Sequence, residues 1–345
     1  MMYLISPHKK QYKANLHCHS VHSDGRLTPE QLKEAYRRHG YDILAITDHE
    51  FPWDHSDMSD SDFLMITGYE GYIRSQPDNK SDRFGPEVHL NLFARDPHNE
   101  TYICYNKTHA KFLSEERLMQ LKRVGLEETR RYTTEYVNQY IRTARENGYL
   151  VAYNHPWWSL ETEERILSYE GYFTMEMCNY GCHVTSGLEY NGVIYDKMLC
   201  AGKRVFCHGT DDNHNRFPEG HPECDSFGAF TMIMADELEY DTVINAMETG
   251  EMYSSMGPRF NEVSFDGKTV HVECSDVRAI YVFCGSKSPR RALAPEGETI
   301  NCADLVIDEP SRYIRVTIED REGKKADTRA YFRDELGLPE RKWIS

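Results

Sequence analysis

Two histidines one residue apart, His17 and His19, open the stretch Asn15–Glu50, which offers a carboxylate at Asp24 and closes on Thr47-Asp48-His49. Further along stand Glu70, His89, His155 in an Asn-His-Pro run, and the Asp-x-His pair Asp212 and His214. Six histidines and three carboxylates make a ligand set for hard or borderline divalent ions such as Zn²⁺, Mn²⁺ or Fe²⁺, with no thiolate required. At roughly three to five ligands per ion, nine groups exceed one metal and suit two or three.

Each piece also has an ordinary explanation. Strand alternation places His-x-His on a solvated face as readily as in a site. The run Asp211-Asp212-Asn213-His214 reads equally as a loop with turn-capping side chains, and His89 between Val88 and Leu90 as a core histidine. What favours a site is conjunction, because every piece falls at or just past the end of a predicted strand. Neighbouring groups take supporting parts: Asp48 and Asp211 orient ligands by hydrogen bonding, His208 stands behind Asp212, and His22 shares a loop with Asp24. Arg216 is either a phosphate clamp, its guanidinium fork matching phosphate oxygens, or a surface partner of Glu219. Tyr153, Trp157 and Trp158 read as core or pocket wall rather than a base-stacking platform.

These residues need a frame. Ala14–Cys18 alternates like a first strand. Thr28-Pro29-Glu30-Gln31 carries an N-cap, a proline at the first helical position and a glutamine three residues after the cap. Leu32, Ala35 and Tyr36 then recur at helical spacing until Gly40. The apolar run Ile43–Thr47 predicts a buried parallel strand. The pattern repeats through strands at Phe63–Thr67, Val88–Phe93 and Leu150–Tyr153, with a long helical region from about Lys111 to Asn147. Strands at Phe173–Met177, Arg204–Cys207 and Phe227–Met234 follow, with helices at Leu188–Ala201 and near 240–248. Alternating strands and helices predict a (β/α) barrel of about seven or eight units, with functional groups at the C-terminal rim of its strands. After Gly257-Pro258 the pattern changes to short alternating runs separated by turn signals. That predicts a small antiparallel, sandwich-like β domain. The expected division is therefore 1–257 and 258–345.

Forty basic against 56 acidic residues give a net charge of −16, which argues against a stable nucleic-acid complex or an anionic membrane surface. A small phosphorylated substrate stays compatible, since bound cations reverse the local field. The N-terminal residues contain no apolar run long enough for a signal peptide or membrane span. Ten scattered cysteines read as reduced thiols, so a cytoplasmic location is expected.

His-x-His at 17–19, Thr-Asp-His at 47–49, His155 and Asp-x-His at 212–214, with Glu70 and His89 in order between them, resemble the PHP (polymerase and histidinol phosphatase) family. The resemblance spans about Ala14 to Met256. It implies a distorted seven-stranded (β/α) barrel, a cluster of two or three divalent ions (zinc, manganese or iron) and hydrolysis of phosphate esters. It further implies one ion held by His17, His19, Glu70 and Asp212, a second by Glu70, His89 and His155, and a third by Asp24, His49 and His214. Catalysis would involve Asp24, His49 and Glu70, a metal-bound hydroxide nucleophile and Arg216 as substrate clamp. Some relatives carry a histidine where this chain has Asp24, which resembles the branch acting on small phosphorylated metabolites or nucleotides. Two rival readings are an amidohydrolase-like C–N or C–O hydrolase, which would want a metal-bridging lysine, and a non-catalytic, metal-stabilised binding protein.

Overall fold

The computed structural model describes residues 1–75, 85–127, 129–187, 190–307 and 312–339. The chain opens with β1 (Met2–Ile5) and β2 (Lys10–Asn15), then α1 (Pro29–Arg38), β3 (Ile43–Ile46), β4 (Leu64–Arg74) and β5 (Glu87–Ala94). An excursion of β6 (Tyr102–Ile103), α2 (Glu115–Gln120) and β7 (Arg123–Val124) precedes α3 (Thr134–Glu146) and β8 (Tyr149–Tyr153). Next come α4 (Glu163–Ser168), β9 (Thr174–Asn179), α5 (Tyr180–Ser186), α6 (Gly192–Cys200) and β10 (Phe206–Thr210), then β11 (Phe230–Ala235), α7 (Tyr240–Thr249) and β12 (Met252–Ser255). The remainder is β13 (Phe260–Phe265), β14 (Thr269–Val277), β15 (Ala279–Phe283), β16 (Arg290–Leu293), β17 (Ile300–Val306), β18 (Tyr313–Glu319), β19 (Lys325–Thr328) and β20 (Tyr331–Phe332).

The first helix forms as its sequence predicts. The Thr28 hydroxyl accepts from Gln31 N, and the Gln31 side chain accepts from Thr28 N. Its buried stripe of Leu32, Ala35 and Tyr36 faces the sheet. The long helix expected over 111–147 is instead two helices, α2 and α3, separated by β7 and by Gly125 at φ +84°. Only Tyr136, Val137, Tyr140, Ile141 and Ala144 carry a continuous buried face, and they belong to α3. The helix expected over 188–201 begins at Gly192; residues 188 and 189 lie outside the described residues.

Strand order in the large sheet is β10-β9-β8-β5-β4-β3-β2-β11-β12-β19-β18-β15-β16. The triplets β2-β3-β4 and β8-β9-β10 are parallel, as in a β/α repeat. β5 runs antiparallel to both β4 and β8, and β11 antiparallel to β2, so the all-parallel expectation is corrected to a mixed sheet. Ser75 N donates to Pro86 O (3.1 Å) where the two strands meet, which carries the antiparallel β4–β5 pairing one step past β4. Among the described residues no ladder joins β10 to β11. The Thr231 hydroxyl bridges them, accepting from Gly209 N (3.2 Å) and donating to Gly209 O (2.8 Å). Gly209 permits this approach, because a Cβ there would stand 2.8 Å from Phe230 O.

The C-terminal strands form sheet on sheet. β12 pairs with β19, so the large sheet runs on into the C-terminal part, and a second sheet of order β1-β13-β14-β17 recruits the N-terminal strand. One core holds Leu44, Met65 and Phe230 together with Val263, Ile280 and Ile318. A polar seam accompanies it: Arg315 makes two bonds to Asp196 (2.8 and 2.7 Å), and Tyr190 OH donates to Asp327 (3.0 Å).

Candidate metal centre

His17 and His19 follow β2 directly, and the next turn is folded back by Asp48, whose carboxylate accepts from Ser20 N (2.8 Å), Ser20 Oγ (2.5 Å) and Ser23 Oγ (2.5 Å). Asp48 thus shapes the loop that presents Asp24 rather than orienting a ligand ring. His49 follows β3, and Glu50 N donates to Glu70 O (2.7 Å), which sets His49 beside Glu70 on β4. His89 points from β5 at the same carboxylate, and His155 follows β8. Past β10, Asp212 N donates to His17 O (2.9 Å) and His19 N to Asn213 O (3.0 Å), tying the two ends of the site together. Glu50 (φ 75°), His155 (22°), Asp212 (52°) and Asn215 (55°) all have left-handed backbones without being glycine. Such strain persists only where surrounding bonds over-determine it, and here it collects at one place.

The nine predicted groups converge. His19, Asp24, His49 and His214 form one group of ligand atoms within 4.8 Å of one another; His17, His19 and Asp212 form a second, and Glu70, His89 and His155 a third. Glu70 lies at the middle. Its Oε1 is 3.0 Å from His89 Nδ1, 3.3 Å from His17 Nε2 and 3.4 Å from His155 Nε2, and its Oε2 is 3.0 Å from His49 Nδ1 and 3.6 Å from His19 Nε2. His17, His19, Glu70, His89 and His155 are buried; Asp24 and His214 are half-buried toward a cavity of about 710 Å³.

These contacts fit cations. His17 gives its Nδ1–H to Glu176 (2.7 Å), so a neutral ring would aim the Nε2 lone pair at Asp212 Oδ1 (3.1 Å) and Glu70 Oε1, an arrangement that requires a positive charge between them. The buried atoms His17 Nε2, Asp24 Oδ1, His49 Nδ1 and His89 Nε2 make no hydrogen bond. Protonation meets part of the same demand. Burial disfavours charge on His89, but the Glu70 and Glu87 carboxylates outweigh it and raise its pKa to about 10. His214 rises to about 9 as Asp24 and Asp212 overcome burial. His19, buried and beside His214 and His49, falls to about 4. Glu70, despite burial, is held well below the usual carboxylate range by His17 and His89.

Other predicted groups divide. Arg216 lines the cavity with its guanidinium 3.8 Å from Asp24, while Glu219 pairs instead with His39 (3.2 Å). Trp158 stands edge-on to His155 (4.8 Å between centroids) and forms cavity wall, whereas Trp157 is half exposed outside it. His22 stacks on Trp53 at 4.1 Å, away from the ligands. Asp211 accepts from the backbone N–H groups of Phe227, Gly228 and Ala229 and holds that turn. His208 is fully buried against Thr174.

Sequence reasoning missed three features. Glu176, on β9, sits behind the ligands; a lone carboxylate between the apolar Met175 and Met177-Cys178 of a fully buried strand is the signal that would have found it. Glu87 lines the cavity between His89 (3.5 Å) and Arg74 (2.6 Å). Buried Arg130 grips Glu50 through two bonds of 2.7 Å, a partnership across eighty positions that leaves no local signal.

No family model matches the chain, and no curated protein matches it. Among solved structures, it is similar to a two-domain protein containing a predicted PHP-like metal-dependent phosphoesterase from Bacteroides vulgatus: TM-score 0.44, 16% identity, covering 92% of this chain and 93% of that one. A candidate metal-dependent phosphoesterase from Bifidobacterium adolescentis matches 61% of this chain and 89% of its own, with TM-score 0.38 and 16% identity. An amidohydrolase from Chromobacterium violaceum, with bound sulfate and no metal, matches 58% of this chain and 87% of its own, with TM-score 0.36 and 15% identity.

Proposed function

We propose that this protein is a metal-dependent phosphoesterase that hydrolyses a small phosphorylated metabolite or nucleotide at a centre of two or three zinc, manganese or iron ions. The observation that carries this reading is the convergence of six histidines and two further carboxylates on Glu70, beside a cavity with Arg74 and Arg216 on its wall. His17, His19 and Asp212 would hold one ion, Glu70, His89 and His155 a second, and Asp24, His49 and His214 a third, with Glu70 shared. When bound, such ions polarise phosphoryl oxygens and lower the pKa of water.

The chain's own groups supply the rest. Arg216 meets the phosphate, its guanidinium exchanging Asp24 for a doubly bonded oxyanion. Arg74, on the cavity wall beside Glu87, adds a second positive charge. Departure of the alcohol consumes a proton; Asp24, 3.4 Å from His214 and 3.8 Å from His49, is held, despite burial, well below the usual carboxylate range by these histidines and stands at the cavity side as the acceptor that orients a water donating it. Trp158 and Leu160 give an apolar wall for the leaving group. No lysine lines the cavity among the described residues, which speaks against the amidohydrolase reading. We place the protein in the cytoplasm, where thiols such as the buried Cys18, Cys178 and Cys207 stay reduced. Among the described residues no helix is long and apolar enough to cross a membrane.

The test is phosphate release from a panel of phosphoesters, with metal analysis of the same preparation. Two or more equivalents of metal, and activity abolished by EDTA and by His17→Ala, are expected. Activity that survives either control overturns the assignment.

A further inference from the structure

Glu176 belongs to none of the three ligand groups, yet it is fully buried behind two of them. Its Oε1 accepts from His17 Nδ1 (2.7 Å) and from the Thr210 hydroxyl (2.7 Å). Its Oε2 accepts from the backbone N–H of His155 (2.7 Å) and from Asn179 Nδ2 (2.9 Å). The same Asn179 amide donates to Asp212 Oδ2 (3.1 Å). One carboxylate therefore touches His17 through one oxygen and His155 through the other, and these residues belong to different ligand groups. Its strand, β9, contributes no ligand of its own.

We infer that Glu176 is a positioning residue that couples two ion sites, its Oε1 fixing the Nδ1–H tautomer of His17 and its Oε2 pinning the left-handed backbone of His155. The inference rests on the metal-centre reading above. The physical reason is that a carboxylate is acceptor-only at both oxygens. All four groups that reach it are donors, so both halves of the network are satisfied together. Ligand histidines ordinarily give their second nitrogen to such a partner, and its loss costs about 10- to 100-fold in metal affinity. Here one side chain does this for His17 and also restrains the peptide that aims His155. An isosteric glutamine keeps one acceptor oxygen but turns an N–H against the other pair of donors. Whichever way the amide settles, one ligand group loses its partner and the coupling between the two is broken.

The experiment uses the full chain stripped of metal and titrated with Zn²⁺ against a chromophoric chelator. Wild type is compared with Glu176→Gln and with Glu161→Gln, a control that alters a carboxylate held by the hydroxyls of Tyr132, Tyr153 and Tyr169. Expected is a loss of about 10- to 100-fold in affinity for Glu176→Gln, a change from coupled to stepwise loading, and wild-type affinity for Glu161→Gln. Affinity within about threefold of wild type in Glu176→Gln overturns the inference, since the loss expected is larger. So does an equal loss in both variants, which would mark a general cost of changing any such carboxylate. A second measurement needs no variant fold of Glu176: in ¹¹³Cd-loaded, ¹⁵N-histidine-labelled wild type, the signal missing from His17→Ala couples to cadmium through Nε2. Coupling through Nδ1 sinks the inference. These readouts are separate from phosphate release. A chain that loads Zn²⁺ as described but cleaves no phosphoester keeps this inference and loses the phosphoesterase reading.

Discussion

Asp24 is the residue on which the third ligand group depends, and its position is set by a glycine. A Cβ added at Gly25 would meet His19 O at 2.1 Å, a backbone atom that cannot swing aside. Gly25→Ala therefore forces the 20–25 turn off His19 and draws Asp24 away from His49 and His214. Metal analysis of this variant is expected to show about one equivalent fewer than wild type, with the deeper ligands still filled, because four-coordinate sites tolerate poorly the loss of a ligand. An unchanged metal content would show that the turn relaxes without moving Asp24. Arg216→Ala, by contrast, removes a cavity cation that pairs with Asp24 at 3.8 Å but is itself no ligand. It should raise KM about tenfold or more while leaving metal content at the wild-type value, since a charged hydrogen bond contributes roughly 1.5–3 kcal/mol.

At the scale of elements, the excursion between β5 and α3 places Arg130 under the site. Its guanidinium joins Glu50 to Tyr72 O and Cys104 O, and Tyr102 OH donates to Glu50 (3.1 Å). This bridge holds Glu50 in its left-handed conformation and, through it, His49. Arg130→Met leaves a buried carboxylate unpaired and is expected to lower stability by about 3–5 kcal/mol, read as a shifted urea midpoint. Strand β2 carries a different charge, Lys13, whose Nζ lies 3.8 Å from the Tyr41 ring centroid. Burial pulls its pKa down to about 8, against the opposing pull of Asp211 and Asp42. Between about 8 and the ordinary 10.5 the unfolded chain keeps a proton that the folded chain has released, so this group makes stability rise with pH across that window. Urea midpoints of wild type and Lys13→Met, compared from pH 8 to 10, should show the shallower rise in the variant.

At the scale of the molecule, the C-terminal strands extend the sheet that carries the site and share its core. Removing 259–345 would strip β19 from β12 and expose Leu44, Met65 and Phe230. The expected product is insoluble, since uncovered strand edges and apolar faces associate; a soluble, monodisperse truncated chain would contradict this. No residue beyond Asp225 lines the cavity among the described residues.

The candidate ligand residues and the local elements were legible in the sequence. His-x-His, Thr-Asp-His and Asp-x-His stand after apolar runs, and α1 announces its own cap, because short-range periodicity and capping depend on neighbours within a few positions. The sequence also marked the change to β structure after Gly257. Strand direction was decided only in three dimensions: β5 and β11 look like any other strand in the sequence, and the reversal comes from where the chain turns and what covers each edge. The partnerships of Glu176 with His17 across 159 positions and of Arg130 with Glu50 across 80 were likewise invisible. Burial makes such pairs obligatory, since a charge without a partner is costly in the interior. Which residue becomes the partner is fixed by packing, and packing exists only once the strands have assembled.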